Sequence, residues 1–332
     1  LEFTLSSLTG RRATRFADGL ARLARMMRIA ELGARFAPGR TGLAAGMLAA
    51  TRRSTGKTES VNSGPSLNPP KSETRVSYAL LEGCVMSGLY SHVHHATRRT
   101  LRRRGHAELS APGQRCCGAL HAHAGRLDAA RDLARANIEA FENSGAEVIV
   151  TDSAGCGAAM RDYPEWLKDD ADWQRRAESL TARVRDISEL LAESTAAAPL
   201  TGSGPRVAYD APCHLMHAQG IREAPLEALA ASGYRVEPLP SWERCCGGAG
   251  LYNLQQPELS DRILERKVEE IGAGCYDVVT TGNPGCMMFL GAGLKRAGLD
   301  VAVVHPVELV DAADGNAEQW TEYRVTQSLL VD

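Results

Sequence analysis

The sequence reads as an α/β protein of two repeated modules with parallel sheets, preceded by a basic helical segment. Three observations support this. From Arg75 onward, short apolar runs alternate with helical periodicities, the pattern of strands joined by crossover helices that cover a parallel sheet. Eight of the nine cysteines fall into two copies of one spacing. The segments around those cysteines also repeat, so the duplication extends beyond the cysteines themselves.

The elements follow in order. Residues 1–57 hold ten Arg and one Lys against Glu2, Asp18 and Glu31, about +8, which leaves about −10 on the remainder of a chain whose net charge is −2. A basic head on an acidic body points to an acidic partner or a membrane surface, with a solvated Arg-rich helix face as the equal alternative. Phe16, Leu20, Leu23, Met27 and Ile29 recur at helical spacing, which predicts an amphipathic helix over 11–36. The same Arg-rich, acid-poor composition suits a mitochondrial presequence, but a chain opening on Leu1 favours an internal segment with material upstream. The polar stretch 54–75, rich in Ser, Pro and Gly, reads as a linker. The expected organisation is a basic helical segment 1–53, the linker, a first module over 76–200 and a second over 205–320.

Strands are expected at Val76–Leu81, Ala107–Ser110, Glu147–Thr151, Arg206–Tyr209, Tyr234–Leu239, Asp277–Thr281 and Val301–Val304. Helices are clearest at Leu127–Ser144 and Glu258–Ile271. Val184–Leu191 answers Val303–Val310 at an offset of 119, whereas the cysteines repeat at about 130. The first copy therefore carries an insertion, placed at Trp166–Trp173. Strands feeding helices in each copy predict Rossmann-like modules, whose ligands gather beyond the carboxyl ends of the strands.

The cysteines lie at those strand ends. The first copy is Cys84, Cys116-Cys117-Gly118 and Gly155-Cys156; the second is Cys213, Cys245-Cys246-Gly247 and Gly285-Cys286. Lone cysteine to pair is 32 residues in both, and pair to last cysteine is 39 and then 40. Four thiolates are a complete ligand set for an iron–sulfur cluster, and glycine amides beside them can donate to cluster sulfur. Gly118, Gly155, Gly247 and Gly285 are the expected cradle. Structural zinc is the main alternative, although adjacent cysteines are awkward for tetrahedral chelation. A vicinal redox disulfide would leave Cys84, Cys156, Cys213 and Cys286 unexplained. Cys275 has no counterpart and reads as a buried structural cysteine.

The two Cys…Cys-Cys-Gly…Cys units resemble the CCG domains of heterodisulfide reductases. Asp210-Ala-Pro-Cys-His-Leu-Met-His-Ala-Gln-Gly220, Cys245-Cys-Gly-Gly-Ala-Gly-Leu-Tyr-Asn253, Gln256-Pro257, Gly282-Asn-Pro-Gly-Cys286 and His305-Pro-Val-Glu-Leu309 are similar to the iron–sulfur subunits of glycolate oxidases (glycolate dehydrogenases). The resemblance covers about 76–312. It implies one or two [4Fe-4S] clusters held by the eight cysteines, and FAD-containing partner subunits that oxidise glycolate to glyoxylate. This chain would relay electrons towards a quinone or the membrane chain. Lactate utilisation and glycerol-3-phosphate oxidation complexes are the alternative settings, and a zinc-stabilised scaffold the non-catalytic one. Heterodisulfide reductase relatives end each unit in Cys-x-x-Cys, whereas Ser153 and Asn283 stand at the earlier position here. That loss favours an ordinary cubane over disulfide chemistry. The ferredoxin run Cys-x-x-Cys-x-x-Cys-x-x-x-Cys-Pro that opens glycolate oxidase subunits does not occur in this sequence, so the chain would correspond to their C-terminal three quarters.

The remaining residues point to no substrate chemistry. His92, His94, His95, His121 and His123 cluster near the first cysteines, and His214 and His217 follow Cys213. His217 could pair with Cys213 on zinc, but caps or surface imidazoles are the plainer reading, and His305 is expected to cap a helix or pack. Arg98, Arg99 and 102–104 form a basic helical face, yet with 5% aromatic residues nucleic-acid recognition is not expected. No phosphate loop, dinucleotide fingerprint or Ser/His/Asp arrangement is present. With no apolar stretch of 18 residues and no secretory signal pattern, nothing is expected to span a bilayer. Vicinal cysteines then fit a reduced, cytoplasmic setting, with peripheral attachment to the inner membrane left to the basic segment.

Overall fold

In the computed structural model, the residues described are 30, 39–51, 76–193 and 204–315. Apart from Ala30, the helix expected over 11–36 lies outside them, as does the linker 54–75. Helix α1 (Gly39–Ala50) precedes the first sheet. The first module runs β1 (Ser77–Leu80), α2 (Val85–Leu89), α3 (Ser91–Arg103), β2 (Ala107–Glu108), α4 (Ala119–His123) and α5 (Leu127–Ser144). It continues through β3 (Val148–Thr151), α6 (Ala154–Arg161), α7 (Tyr163–Trp166), α8 (Ala171–Thr181), β4 (Val184–Asp186) and α9 (Ile187–Glu193). The second runs β5 (Arg206–Tyr209), α10 (Cys213–Met216), α11 (Ala224–Ala231), β6 (Arg235–Pro238), α12 (Tyr252–Gln255) and α13 (Pro257–Gly274). It closes with β7 (Val278–Thr280), α14 (Pro284–Arg296), β8 (Ala302–Val304) and α15 (Pro306–Ala313).

Each module is one four-stranded, wholly parallel sheet, and the two have the same order: β2-β1-β3-β4 and β6-β5-β7-β8. Equivalent registers recur, Tyr78 opposite Val148 and Val207 opposite Val278. Strand alternation sends neighbouring residues to different cores. Tyr78, Leu80, Val150, Val207, Tyr209 and Val278 enter one core shared by both sheets. Ala79, Leu81 and Ile149 face the first module's own outer core, and Ala208 and Val279 face the second's. Ile187 and Leu190 of α9 and Leu229 of α11 belong to the shared core, so the modules are fused through apolar packing.

Two features depart from expectation, and the expected insertion is found where the repeat offset placed it. β4 is not among the expected strands because it is three residues with Arg185 at its centre, too short and too polar to read as an apolar run. The chain around Trp166–Trp173 forms α7 and α8, where the second module passes from α14 straight to β8. Finally, α1 carries only one charge, Arg40, and packs on α14 through small residues. A Cβ on Gly46 would sit 3.1 Å from Ala292 Cβ, and one on Gly291 2.6 Å from Ala50 Cβ. Leu43 of α1 is buried in the second module's outer core, so this part of the basic segment belongs to the α/β body.

The repeat reaches the helix caps. Asp186 Oδ1 accepts from Ser188 N–H at 2.9 Å while Glu189 accepts from Asp186 N–H at 2.9 Å. In the second module His305 Nδ1 accepts from Val307 N–H at 3.2 Å and Glu308 from His305 N–H at 2.8 Å. Both are reciprocal caps at equivalent helix starts. His305 thus caps and packs, as expected, and burial holds its imidazole below the ordinary range.

Candidate metal centre

Each set of four cysteines converges because the chain turns sharply after a strand. Gly83, at φ +59°, turns β1 into Cys84, and a Cβ there would lie 3.8 Å from Cys156 Sγ. Cys116 and Cys117 occupy the loop between β2 and α4, which Gly118 leaves at φ +87°. Cys156 lies in the first turn of α6. In the second module Cys213 opens α10, Cys245 and Cys246 follow β6, Gly247 turns at φ +91°, and Cys286 lies in the first turn of α14. These glycines allow a left-handed turn that a side chain would strain.

The sulfurs form one contact chain per module. Cys84 Sγ is 3.4 Å from Cys116 Sγ, Cys116 contacts Cys117, and Cys117 contacts Cys156. Correspondingly, Cys213 contacts Cys245 and Cys245 contacts Cys246, and Cys246 Sγ is 3.0 Å from Cys286 Sγ. Nearby thiols therefore bias one sulfur in each module towards the thiolate. Hydrogen bonds from Cys117 and then Cys84 pull Cys116 down to about 3, assisted by the Gly118 amide against burial. Bonds from Cys213 and then Cys246 pull Cys245 down to about 2, assisted by Gly247. Cys84, Cys117, Cys213 and Cys246 are pushed up, chiefly by donating to those same sulfurs. In both modules the downward pull falls on the first cysteine of the vicinal pair.

Backbone and side chains hold these loops. In the first module Asn137 Nδ2 donates to Cys116 O and Tyr163 Oη to Cys117 O, both at 3.0 Å. In the second, Asn253 Nδ2 donates to Gly248 O at 2.5 Å and Gly250 O at 2.6 Å. Gly247 N–H points at Cys245 Sγ at 3.3 Å and Gly248 N–H at Cys246 Sγ at 3.5 Å. Asn283 Nδ2 donates to Cys286 Sγ at 3.4 Å. A Cβ on Gly248 would lie 3.5 Å from Cys246 Sγ and 3.2 Å from Gly285 O, so the backbone passes close to the sulfur with little room to spare.

The expected residues meet this geometry unevenly. Gly118 and Gly247 direct their amides at sulfur. Gly155 does not: its N–H donates to Asn283 Oδ1 at 3.1 Å. Gly285 sits beside Asn283, where a Cβ would lie 3.3 Å from Nδ2. Cys275 corrects the expectation of a buried cysteine: it is exposed and caps α13 at φ +51°. His217 Nε2 bonds Glu243 O at 2.8 Å, away from any ligand role. His94 is buried against Asp152 at 2.7 Å and Glu82 O at 2.9 Å. Burial opposes its protonation, but the Asp152 carboxylate overcomes this and raises it. His214 does approach a centre, its Nδ1 3.5 Å from Cys213 Sγ, and its ring centroid lies 6.0 Å from that of His123 across the module boundary. The basic face of α3 is largely neutralised: Arg98 pairs with Glu82 and Glu108, Arg99 and Arg103 with Asp311, and Arg104 with Asp314. No spacing in the sequence marks Tyr163 or Asn137 as supports; Asn253 and Asn283 lie in segments that carry the family resemblance.

The donor set suits an iron–sulfur cluster in kind: four soft thiols per module, with amide N–H groups directed at sulfur. Among the described residues no three Cys, His, Asp or Glu side chains surround a point suited to a single metal ion. The sulfurs follow one another by contact, and the first and last of each module also lie close enough to interact, Cys84 with Cys156 and Cys213 with Cys286. No helix of the described residues is long and apolar enough to cross a membrane.

Comparison with known proteins agrees. A family model for the cysteine-rich CCG domain matches residues 78–161 and 207–291, together half of the chain. The probable glycolate oxidase iron-sulfur subunit of Bacillus subtilis (strain 168) is 33% identical over 257 residues, 76% of this chain and 57% of that protein. The glycolate oxidase iron-sulfur subunit of Escherichia coli (strain K12) is 30% identical over 237 residues, 70% of this chain and 57% of that protein. Lactate utilization protein A of Oceanobacillus iheyensis is 31% identical over 232 residues, 69% of this chain and 93% of that protein. The chain thus spans little more than half the length of the two glycolate oxidase subunits.

Proposed function

The chain belongs to the cysteine-rich CCG domain family, and from that premise we propose that it is an iron–sulfur electron-transfer subunit of a 2-hydroxy-acid oxidising complex. Its modules, 76–200 and 205–320, each hold a [4Fe-4S] cluster through Cys84, Cys116, Cys117 and Cys156, or through Cys213, Cys245, Cys246 and Cys286. The observation that carries the reading is the unbroken contact of four sulfurs in each module beneath converging amide N–H groups. A bound cluster supplies one-electron storage at a potential set by burial and hydrogen bonds to sulfur. The residues of this chain bury the pair-second cysteines, aim Gly118 and Gly247 at charge, and leave Cys84, Cys156, Cys213 and Cys245 half-buried for electron entry and exit.

The donor is a partner subunit that oxidises glycolate, as the names of the Bacillus subtilis and Escherichia coli relatives suggest; the family resemblance implies FAD as its cofactor and glyoxylate as its product. Among the described residues no anion clamp for a hydroxy acid is identified beside the cysteines, and in this reading the substrate chemistry is assigned to the partner. A lactate-oxidising partner is the second reading; it is favoured by the match over 93% of lactate utilization protein A from Oceanobacillus iheyensis. Anaerobic stopped-flow mixing of the reconstituted chain with reduced flavoprotein decides between them. Bleaching of the cluster absorbance with glycolate supports the first reading and with lactate the second. No bleaching with either contradicts the assignment.

A further inference from the structure

We infer that Asn283 is a positioning residue that couples the two cysteine centres, by capping the Cys156 helix of the opposite module while donating to Cys286; the part concerning Cys286 rests on the electron-transfer reading above. Asn283 is the N-cap of α14, and its side chain makes no cap bond to its own helix. The oxygen accepts instead from Gly155 N–H at 3.1 Å, across 128 residues of chain. Gly155 is the second residue of α6, so this amide is one that its own helix leaves without a partner. Ser153, the N-cap of α6, makes no side-chain cap bond. Ala154 N–H, the next orphan, donates to Gly282 O at 3.0 Å. The first turn of α6, which carries Cys156, is therefore capped in trans by the loop that leads into Cys286.

The orientation of the Asn283 amide follows from its partners. Gly155 N–H can only donate, so the oxygen must face it and the NH₂ group is left for Cys286 Sγ, 3.4 Å away. Reversal would set donor against donor and oxygen against sulfur. Gln219 adds a second tie, its Nε2 donating to Ala154 O at 2.9 Å and His214 O at 3.2 Å. Both cysteine helices of the second module thus reach the start of α6. A cysteine at 283 could supply neither the paired acceptor nor the amide donor, which gives the asparagine at this position a role of its own.

Two variants separate the two halves of this inference. Asn283→Ala removes both bonds; Asn283→Asp keeps the acceptor for Gly155 and replaces the donor to Cys286 with negative charge. Hydrogen–deuterium exchange on the full, metal-free reduced chain should show the Gly155 amide exchanging about tenfold faster in Asn283→Ala and near wild type in Asn283→Asp. Redox titration of the reconstituted chain followed by EPR should move the second-module centre to a more negative potential in Asn283→Asp. A Cys117→Ser background isolates that signal. Unchanged Gly155 exchange in Asn283→Ala overturns the cross-module cap, and an unchanged potential in Asn283→Asp overturns the donor role. A wild-type chain that takes up no iron refutes the electron-transfer reading and the donor role together, while Gly155 exchange still decides the cap.

Discussion

The two modules share sheet order, cysteine spacing and even a reciprocal helix cap, yet they support their cysteines differently. The first is reinforced from behind. Asn137 and Tyr163 bind the carbonyls of Cys116 and Cys117, and both of those cysteines are buried. The second is reinforced from the front, with Gly247, Gly248 and Asn283 donating directly to sulfur where the first has the Gly118 amide, and with Cys245 only half-buried. Hydrogen bonds to sulfur raise a cluster's potential, whereas burial away from water lowers it. With a cluster in each module, as proposed, the difference predicts a higher potential at the second centre and electron flow from the first to the second. Duplication preserved the geometry of the cysteines while the residues that support them diverged.

The largest test of that comparison removes one centre at a time. Cys117→Ser and Cys246→Ser should each halve the iron bound and abolish one of two EPR signals, leaving the other at its own potential. Iron at the wild-type level in both variants would end the ligand assignment.

Glycine substitutions come next, because the two cradles are not equally tight. A Cβ on Gly247 would lie 2.7 Å from Ser260 O, whereas one on Gly118 would meet Trp166 Cζ3 at 3.2 Å and Ala130 O at 3.3 Å. Both residues sit in the left-handed region, which costs an L-residue about 1–2 kcal/mol. Gly247→Ala adds a clash with backbone and should destabilise by about 3 kcal/mol in total; Gly118→Ala should cost about half that. Denaturant unfolding of the metal-free reduced chain measures the order, and a larger loss for Gly118→Ala would contradict the difference in tightness.

Smaller still is Tyr163→Phe, which strands Cys117 O and takes a partner from Asn137. The expected cost is about 1–2 kcal/mol, with the EPR signal of the first module broadened and that of the second unchanged. A change in the second signal would mean that Tyr163 acts on the whole fold.

The mildest effect concerns the paired helix caps. Burial pushes the Asp186 carboxyl up to about 7. The folded state then holds its proton more tightly than the unfolded chain, so this contribution to stability is full below about pH 4 and is lost as pH rises towards 7. Asp186→Asn keeps the Oδ1 cap to Ser188 and removes the charge. It should flatten the fall in melting temperature between about pH 4 and 7 and leave the variant the more stable at pH 7. The histidine cap at 305 predicts no such gain for its module.

How much of this was legible in the sequence follows the same division. Strands such as Ser77–Leu80 and Arg206–Tyr209 showed because apolar residues crowd a strand covered on both faces. β4 did not, since an edge strand of three residues carries too little apolar pattern, and only its repeat partner at Val303 marked the place. The cysteine sets were readable because spacing survives duplication. Their supports were not, because each is a long-range bond: Asn137 and Tyr163 lie 21 and 46 residues from the carbonyls they hold, and Asn283 lies 128 from Gly155. Asn283 looked like a cysteine lost, and only the packing of two modules reveals what the asparagine holds.

Iron and acid-labile sulfide analysis of the anaerobically reconstituted chain, with EPR of the same sample after reduction, bears most directly on the assignment of two clusters. Two [4Fe-4S] centres predict about eight irons and eight sulfides per chain and two reduced-cluster signals of distinct potential. A colourless protein that binds zinc and shows no such signal would contradict it.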